Sequence, residues 1–277
     1  MRLPGVRVAV VGHVEWVEFA RVERVPVPGE IVQAEGWWGE AAGGGGVASV
    51  QLARLAGASS LFTALGLDEL GEASLAQLTS LGVRVEAARH PEPQRRGFTF
   101  VDDSGERTIT ILGEKHVPRR PDPLPWEELS DADGVYFVSG DAEAARAARR
   151  ARVLVATARS LPVLAEAGVE LDALVRSSHD PSEVYERGDL EPQPRLMVAT
   201  AGSEGGTWET SDGRRGTYEP APPPGPIVDA YGAGDSFAAG LTYALACGDE
   251  VEAAVAFAAE GGAAALTRRG AHGSRIP

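Results

Sequence analysis

Short apolar runs alternate with stretches whose apolar residues fall at helical spacing along most of the chain. The runs that predict buried strands are Val6–Val11, Ser60–Ala64, Gly134–Val138, Val153–Ala156, Leu171–Val175 and Leu196–Ala199. The stretches that predict helices are Val47–Leu55, Leu70–Leu81, Ala142–Arg150, Gly234–Ala246 and Glu250–Leu266. Strands that alternate with helices indicate an α/β fold, a doubly wound and mostly parallel sheet flanked by helices. In such folds, ligands bind beyond the carboxyl ends of the strands.

Some β-rich segments do not follow this alternation. Ile31–Trp38 comes after a Pro-Gly pair and has the character of a half-buried strand. Arg96–Val101 and Arg107–Leu112 are joined by the turn sequence Asp102–Gly105, which is a strong hairpin signal. We therefore expect a small β appendage beside the main sheet.

Composition excludes several classes of function. The 277 residues include 26 Lys and Arg against 40 Asp and Glu, a net charge of −14. This charge argues against a general nucleic-acid or anionic-membrane binder, because both need a basic surface. The single cysteine, Cys247, excludes an internal disulfide and a cysteine-rich zinc site. No apolar run approaches the roughly 18 residues of a membrane span, so we expect a cytoplasmic protein.

The segment 229–241, DAYGAGDSFAAGL, carries the sharpest chemical signal. Gly232, Ala233 and Gly234 have almost no side-chain bulk, so their backbone N–H groups can approach an anion at the start of the helix that follows. Asp235 lies in the first turn of that helix. A carboxylate there can accept the proton of an attacking hydroxyl while the amides stabilise a moving phosphoryl group. For a shorter motif of this kind, a tightly packed helix start is the structural alternative.

This segment resembles the signature DTxGAGDxFxxG of the ribokinase-like (PfkB) carbohydrate kinase family, and the likeness covers essentially the whole chain. Further segments in family order are Val10–Gly12, Pro28–Glu30, Gly43–Gly46, Asp68–Gly71, Thr200–Gly205 and Arg268–Ala271. The resemblance implies a single ribokinase-like domain over residues 1–277, with a β lid over the acceptor from roughly residues 13–40 and 94–112. It also implies an ATP-dependent kinase that phosphorylates a hydroxyl of a small molecule, such as a sugar, a sugar derivative or a nucleoside.

The resemblance also implies cofactors and site residues. ATP and Mg²⁺ are the expected cofactors, and a monovalent cation near Arg269–Gly273 is a further family property. Asp235 is implied as the catalytic base and Gly232–Gly234 as the anion hole. The residues implied to bind the nucleotide are Thr200, Gly202, Ser203 and Gly205, and those implied to bind the acceptor are Glu15, Gly43, Gly44, Val47 and Asp235. A glycine turn after a strand lets the backbone reach a nucleotide, although such a turn is also commonly structural.

Several family positions on the acceptor side hold other residues here. The Asn of the helix after the glycine run is Val47, and the Asp after the first strand is Val17, with Glu15 close by. Loss of these hydroxyl ligands favours an acceptor less polar than a free hexose, or Glu15 as a replacement ligand. Trp37 and Trp38 either stack on a ring of the ligand or pack within the lid.

The metal motif departs less from the family pattern. The family's Asn-x-x-Glu reads Ser177-Ser178-His179-Asp180, which makes Asp180 the expected metal residue, with Glu183 as an alternative. The arginine pair Arg95-Arg96, which opens the predicted hairpin, either neutralises an acceptor phosphate or ATP, or is a solvated charge pair.

Two other functional classes deserve comparison with a kinase. A catalytically impaired nucleotide- or metabolite-binding protein is the alternative, because the family's Asn, Asp and Thr are lost, the last to Ala230. The complete Gly-Ala-Gly-Asp core favours the kinase. A dinucleotide dehydrogenase is disfavoured, because the run Gly43–Gly46 does not directly follow the first strand. We also expect a homodimer through the lid, since lid strands leave unsatisfied edges.

Overall fold

This computed structural model describes residues 5–273 of the chain. These residues contain thirteen strands and six α-helices. The strands are β1 (Val8–Val11), β2 (Glu15–Arg21), β3 (Gly36–Ala42), β4 (Ser59–Gly66), β5 (Val83–His90), β6 (Arg96–Val101), β7 (Arg107–Leu112), β8 (Gly134–Phe137), β9 (Val153–Thr157), β10 (Ala173–Ser177), β11 (Leu196–Thr200), β12 (Gly206–Thr210) and β13 (Arg215–Tyr218). The helices are α1 (Gly43–Ala56), α2 (Glu69–Ser80), α3 (Ala142–Ala148), α4 (Leu161–Ala167), α5 (Ala233–Cys247) and α6 (Val251–Ala265). The predicted domain span of residues 1–277 includes both chain ends, which lie outside the described residues.

Nine strands form one sheet in the order β5-β4-β1-β8-β9-β10-β11-β12-β13. The seven strands from β5 to β11 are parallel, and the hairpin β12–β13 continues the sheet in antiparallel fashion. The mostly parallel sheet predicted from the sequence is therefore confirmed. Because parallel strands end at the same edge of a sheet, the segments that follow them meet there.

Helices cover both faces of this sheet. Val10 of β1 packs in a core that includes Leu52 of α1 and Leu241 of α5. The next residue, Val11, packs on the opposite face with Leu164 of α4. Both valines are fully buried, as a parallel strand covered on its two faces requires. Within residues 5–273, no helix is both long and apolar enough to cross a bilayer.

A second sheet of four strands, in the order β3-β2-β6-β7, lies beside the first, and we call it the small sheet. It contains the appendage predicted from the hairpin signals. Its inner face joins an apolar cluster that comprises Val17, Phe19, Trp38, Ala42, Val47, Val101 and Ala271. Trp37 is 72% exposed, and every residue of β7 is exposed. The small sheet therefore has one buried face and an open edge strand.

The structure differs from the sequence prediction in five elements, one of which, β2, was not predicted as a strand. The strand predicted over Ile31–Trp38 begins only at Gly36 and ends at Ala42, and Ile31 is fully exposed in the loop that precedes it. The glycine run predicted as a loop forms the first turn of α1, which Gly43 enters with a φ of 75°. β5 and α4 were not predicted, because charged residues such as Arg84 interrupt the apolar pattern of β5 and α4 is only seven residues long.

Candidate active site

The N-termini of α1 and α5 meet at the carboxyl edge of the main sheet. A methyl group added to Gly44 would lie 3.0 Å from Asp235 Oδ1 and 2.7 Å from Val138 Cγ1. The carboxylate of Asp235 therefore rests almost directly on the backbone of Gly44. A methyl group added to Gly232 would lie 2.8 Å from Val47 Cγ1, and the φ of Gly232 is 75°. Gly44 is required because no side chain fits there. Gly232 is required for the same reason and also because its backbone has the left-handed conformation.

Asp235 is half-buried and surrounded by charges of both signs. Burial raises the pKa of its carboxyl group to about 6, an effect opposed by Arg159 and Arg107 and reinforced by Glu183 and Glu15. A carboxylate with this pKa is mostly ionised at neutral pH and still basic enough to accept a proton from a hydroxyl group. The electrostatics therefore suit the role of general base.

The glycine turn in front of Asp235 leaves an uncapped helix N-terminus. α5 begins at Ala233, its N-cap is Gly232, and no side chain caps it. The N–H of Ala233 is 3.5 Å from the carbonyl oxygen of Ala230, at the long limit for a hydrogen bond. Free N–H groups and the helix dipole make such a terminus a site for a phosphoryl group.

Glu15 lies on the other side of the site, at the start of β2. Its side chain is only 8% exposed, and its Oε1 is 2.9 Å from Arg95 Nε and 3.6 Å from His13 Nε2. Ser139 Oγ lies 3.0 Å from both the backbone nitrogen and Nδ1 of His13. Burial lowers the pKa of His13 well below its ordinary value, so the ring is neutral. Ser139 Oγ accepts from the backbone N–H of His13 and also bonds to Nδ1, so it fixes the ring with Nε2 towards Glu15.

Positive charge is concentrated around Glu15. Burial raises the pKa of Glu15, and the charges of Arg95, Lys115 and Arg159 oppose that rise. The same three cations add to the effect of burial in lowering the pKa of His13. Lys115 is the single lysine of the chain, and burial and Arg95 lower its pKa. Three cationic side chains therefore act together at one point.

The predicted metal residue, Asp180, is tied to its alternative, Glu183, by one arginine. Arg159 Nη2 is 2.7 Å from Asp180 Oδ2, and Arg159 Nε is 2.6 Å from Glu183 Oε1. Glu183 also accepts from the backbone N–H of Ser177 at 2.6 Å, and Asp180 accepts from the backbone and side chain of Ser182. Among residues 5–273 no three acidic, histidine or cysteine side chains form a ready-made metal cage. Mg²⁺ needs only one or two carboxylates besides phosphates and water, so this pair fits an ion that arrives with ATP.

The predicted nucleotide segment follows β11 at the same edge of the sheet. Thr200 ends the strand and donates to the carbonyl of Arg176 at 3.3 Å. Gly202 and Ser203 are exposed. A methyl group added to the buried Gly205 would lie 2.1 Å from the carbonyl oxygen of Tyr218. Gly205 is therefore a packing residue, while the two exposed residues before it can face a nucleotide.

The aliphatic residues at the altered acceptor positions present little surface to a ligand. Val17 is fully buried and Val47 is 2% exposed, both inside the cluster beneath the small sheet. Val47 borders the site where its side chain packs against the backbone of Gly232. Trp38 is buried as well, stacked on Phe19 at 5.0 Å between ring centroids. These side chains therefore shape the floor of the site, and polar contacts come from other residues.

Several residues at the site were not predicted from the sequence. His13 and Ser139 each come two residues after the end of a strand, and the two strands, β1 and β8, are neighbours in the sheet. This position after adjacent strands is the sequence signal that could have identified them as site residues. Lys115 and Arg107 come from segments around β7 that are far away in sequence. These two side chains reach the site because of the way the small sheet packs against the main body. Local sequence patterns do not predict that packing.

The carboxyl edge of the main sheet thus holds a basic carboxylate beside a helix N-terminus that no side chain caps. This arrangement is that of the active site of a kinase that phosphorylates a hydroxyl group of a small molecule. Residues 6–162 and 163–277 match the family model described as pfkB family carbohydrate kinase. An ATP-dependent ribose-1-phosphate kinase from Halopiger xanaduensis is 31% identical over 292 residues, which cover 96% of this chain and 94% of the relative. The chain belongs to the pfkB family of carbohydrate kinases, and no finding supports the non-catalytic alternative.

Solved structures agree on the fold. Ribokinase from Thermotoga maritima superposes with a TM-score of 0.77 at 21% identity, covering 99% of this chain and 96% of that one. Arabidopsis thaliana ribokinase, solved with ribose and ATP, gives a TM-score of 0.71 at 20% identity, covering 98% of this chain and 94% of that one. The ribokinase-like fold predicted from the sequence is thus confirmed.

Proposed function

We propose that this chain is an ATP-dependent kinase whose acceptor is itself a phosphorylated sugar, ribose 1-phosphate. The observation that carries the proposal is the convergence of Arg95, Lys115 and Arg159 on Glu15 and His13. The net charge of the chain is −14, so most of its surface repels anions. Three cationic side chains at one place form a local site that attracts an anion. The substrate named for the Halopiger relative is such an anion.

The acceptor side fits a sugar phosphate better than a free sugar. Two family ligands for vicinal hydroxyls are replaced by the buried Val17 and Val47, so polar recognition has moved elsewhere. Arg95 is 15% exposed and held by Glu15, which presents an ordered guanidinium group at the pocket wall. Charge-assisted contacts to a phosphate are worth about 1.5–3 kcal/mol each, enough to compensate for the lost hydroxyl contacts.

In the proposed mechanism, Asp235 accepts the proton of an acceptor hydroxyl whose oxygen attacks the γ-phosphorus of ATP. The bond from that phosphorus to the β,γ-bridging oxygen breaks, and ADP leaves. The N–H groups of Gly232–Gly234 stabilise the charge on the transferred phosphoryl group. Gly202 and Ser203 lie where the nucleotide would bind. Mg²⁺ would be held by ATP, water and the Asp180–Glu183 pair, and it supplies neutralisation of phosphate charge.

We further propose that the small sheet is the lid, from roughly residues 13–40 and 94–112, and that two copies of the chain pair through it. The support is the edge strand β7, in which every residue is exposed and Ile109, Ile111 and Leu112 are each more than 40% exposed, together with the exposed Trp37. Unpaired edges of this kind favour strand addition. A cytoplasmic location and a requirement for a monovalent cation stay predictions.

The test of the acceptor is ADP release with ribose, ribose 1-phosphate, ribose 5-phosphate and adenosine. We expect kcat/KM for ribose 1-phosphate to exceed that for ribose at least about 100-fold, since two charge-assisted contacts differ between them. Arg95→Gln should raise the KM for ribose 1-phosphate about 10- to 100-fold and leave the KM for ATP within about twofold. Preference for ribose or adenosine, or an effect of Arg95→Gln on ATP alone, would contradict the proposal. Arg195→Gln is the control, because Arg195 is exposed, pairs with Glu170 and lies outside the proposed lid.

A further inference from the structure

The turn of the β6–β7 hairpin touches the segment that leads into the glycine turn. A methyl group added to Gly105, at the tip of the hairpin, would lie 3.4 Å from the carbonyl oxygen of Val228. Arg107, at the start of β7, donates from Nη1 to the carbonyl oxygen of Ala230. Its guanidinium carbon is 5.9 Å from the ring centroid of Tyr231. The small sheet is thus fastened to the main body two residues before the anion hole begins.

The carbonyl of Ala230 has a second donor. The N–H of Ala233 points at the same oxygen from 3.5 Å, a distance at which a hydrogen bond is weak. A carbonyl oxygen has two lone pairs and can accept from both donors. Arg107 holds this oxygen at a distance at which the N–H of Ala233 is only weakly engaged, and without Arg107 the turn can close and tighten that bond.

We propose that Arg107 is a positioning residue through which the small sheet holds the carbonyl of Ala230, so that the amide of Ala233 is only weakly engaged with it and can turn to the transferred phosphoryl group. The hydrogen bond of Arg107 goes to the carbonyl of the turn, and it acts on the reaction through that turn. The proposal rests on phosphoryl transfer at Asp235 but not on the identity of the acceptor. It gives the small sheet a direct part in assembling the site.

Arg107 also acts on the catalytic carboxylate through its charge. The charged groups that act on Asp235 are Arg159 and Arg107, which lower its pKa, and Glu183 and Glu15, which raise it. Removing Arg107 leaves one cation against two carboxylates, so the pKa of Asp235 rises. The donor and the charge of Arg107 are separable, because glutamine keeps an N–H donor without charge and lysine keeps the charge with a different donor geometry.

The experiment compares Arg107→Gln, Arg107→Lys and Arg107→Ala with Arg195→Gln, a change of an exposed arginine outside the small sheet that pairs with Glu170. Steady-state kcat is measured against pH, and the carboxyl group of Asp235 is titrated by carbon-13 NMR in the absence of any substrate, with Asp235→Asn to assign its signal. Thermal unfolding checks that each variant is folded. The titration needs no acceptor, so it stays informative even if ribose 1-phosphate is the wrong substrate.

We expect Arg107→Ala to lower kcat about 10- to 100-fold, less than the loss of a direct oxyanion donor. Arg107→Gln should recover part of kcat but shift the Asp235 titration and the acid limb of kcat upward by about half a pH unit or more. Arg107→Lys should keep the titration near its original pH, and Arg195→Gln should change nothing. An unchanged titration with unchanged kcat in Arg107→Ala overturns the inference. So does a rise in acceptor KM at constant kcat, because Arg107 would then bind the acceptor and not the turn.

Discussion

Gly44 offers the sharpest test of how closely the site is packed. Replacing it with alanine adds a methyl group 2.7 Å from Val138 Cγ1 and 3.0 Å from Asp235 Oδ1, whereas ordinary contacts begin at 3.4 Å. The carboxylate must therefore retreat by about 0.4 Å and Val138 Cγ1 by about 0.7 Å, or the helix must shift by a similar distance. A misplacement of about 1 Å costs roughly 100-fold in rate, so a loss of about 5- to 20-fold in kcat is expected.

The effect of Gly44→Ala on stability should be small by comparison. Alanine gains about 1 kcal/mol over glycine in a helix, while overpacking costs about 1–3 kcal/mol. The net destabilisation is about 0–2 kcal/mol, which lowers Tm by at most roughly 5 °C for a chain of this size. An enzyme that stays folded but turns over slowly is therefore the expected phenotype.

Gly46→Ala is the matched control in the same helical turn. The nearest atom to its added methyl group is the carbonyl oxygen of Ala41 at 3.4 Å, an ordinary contact. We expect kcat within about twofold of the original and a stability gain of up to about 1 kcal/mol. The assay is ADP release at saturating ATP and acceptor, with thermal unfolding in parallel. Unchanged kcat in Gly44→Ala, or an equal loss in Gly46→Ala, would refute the contact between Gly44 and Asp235.

Three further outcomes are expected. The kcat of the original chain should fall tenfold per pH unit below about pH 6, because the base Asp235, whose pKa is raised to about 6, must be ionised. Asp235→Asn should lose activity by orders of magnitude and gain stability; since the folded carboxyl titrates above its unfolded value of 3.8, that gain appears as pH rises from about 4 to 6 and is absent below pH 4. Thermal unfolding at pH 4 and pH 8 distinguishes this from a uniform effect. Val47→Asn, which installs the family residue, should destabilise the chain by about 1–3 kcal/mol, because the amide is buried without a partner, and a denaturant titration showing no loss would contradict that burial.

The main sheet was predictable because its strands are buried on both faces. Runs such as Val8–Val11 and Val153–Thr157 are continuous in apolar residues, and nothing but a covered strand explains them. β5 was not predicted because it lies at the edge of the sheet, where Arg84 and Glu86 alternate with apolar residues. β3 was shifted because Ile31 is apolar and yet fully exposed, so its hydrophobicity carries no information about packing.

The site was predictable only where one short segment holds both the base and its anion hole. Asp235 and the glycines before it are contiguous, so local chemistry suffices. Glu15 needs its partner Arg95 from the residue before β6, and the pairing of β2 with β6 joins residues about 80 positions apart. Val47 shows the same limit, because spacing singled out the position and could not tell that the side chain faces the core.

Charge ties these parts together. The chain as a whole repels anions, yet both proposed substrates, ATP and a sugar phosphate, are anions. Arg159 reaches both sides of the reaction, since it pairs with Asp180 and Glu183 and lowers the pKa of Asp235. Arg107 acts on Asp235 from the small sheet. Because one cation belongs to the main body and the other to the small sheet, both parts of the fold oppose the rise that burial causes in the pKa of the base.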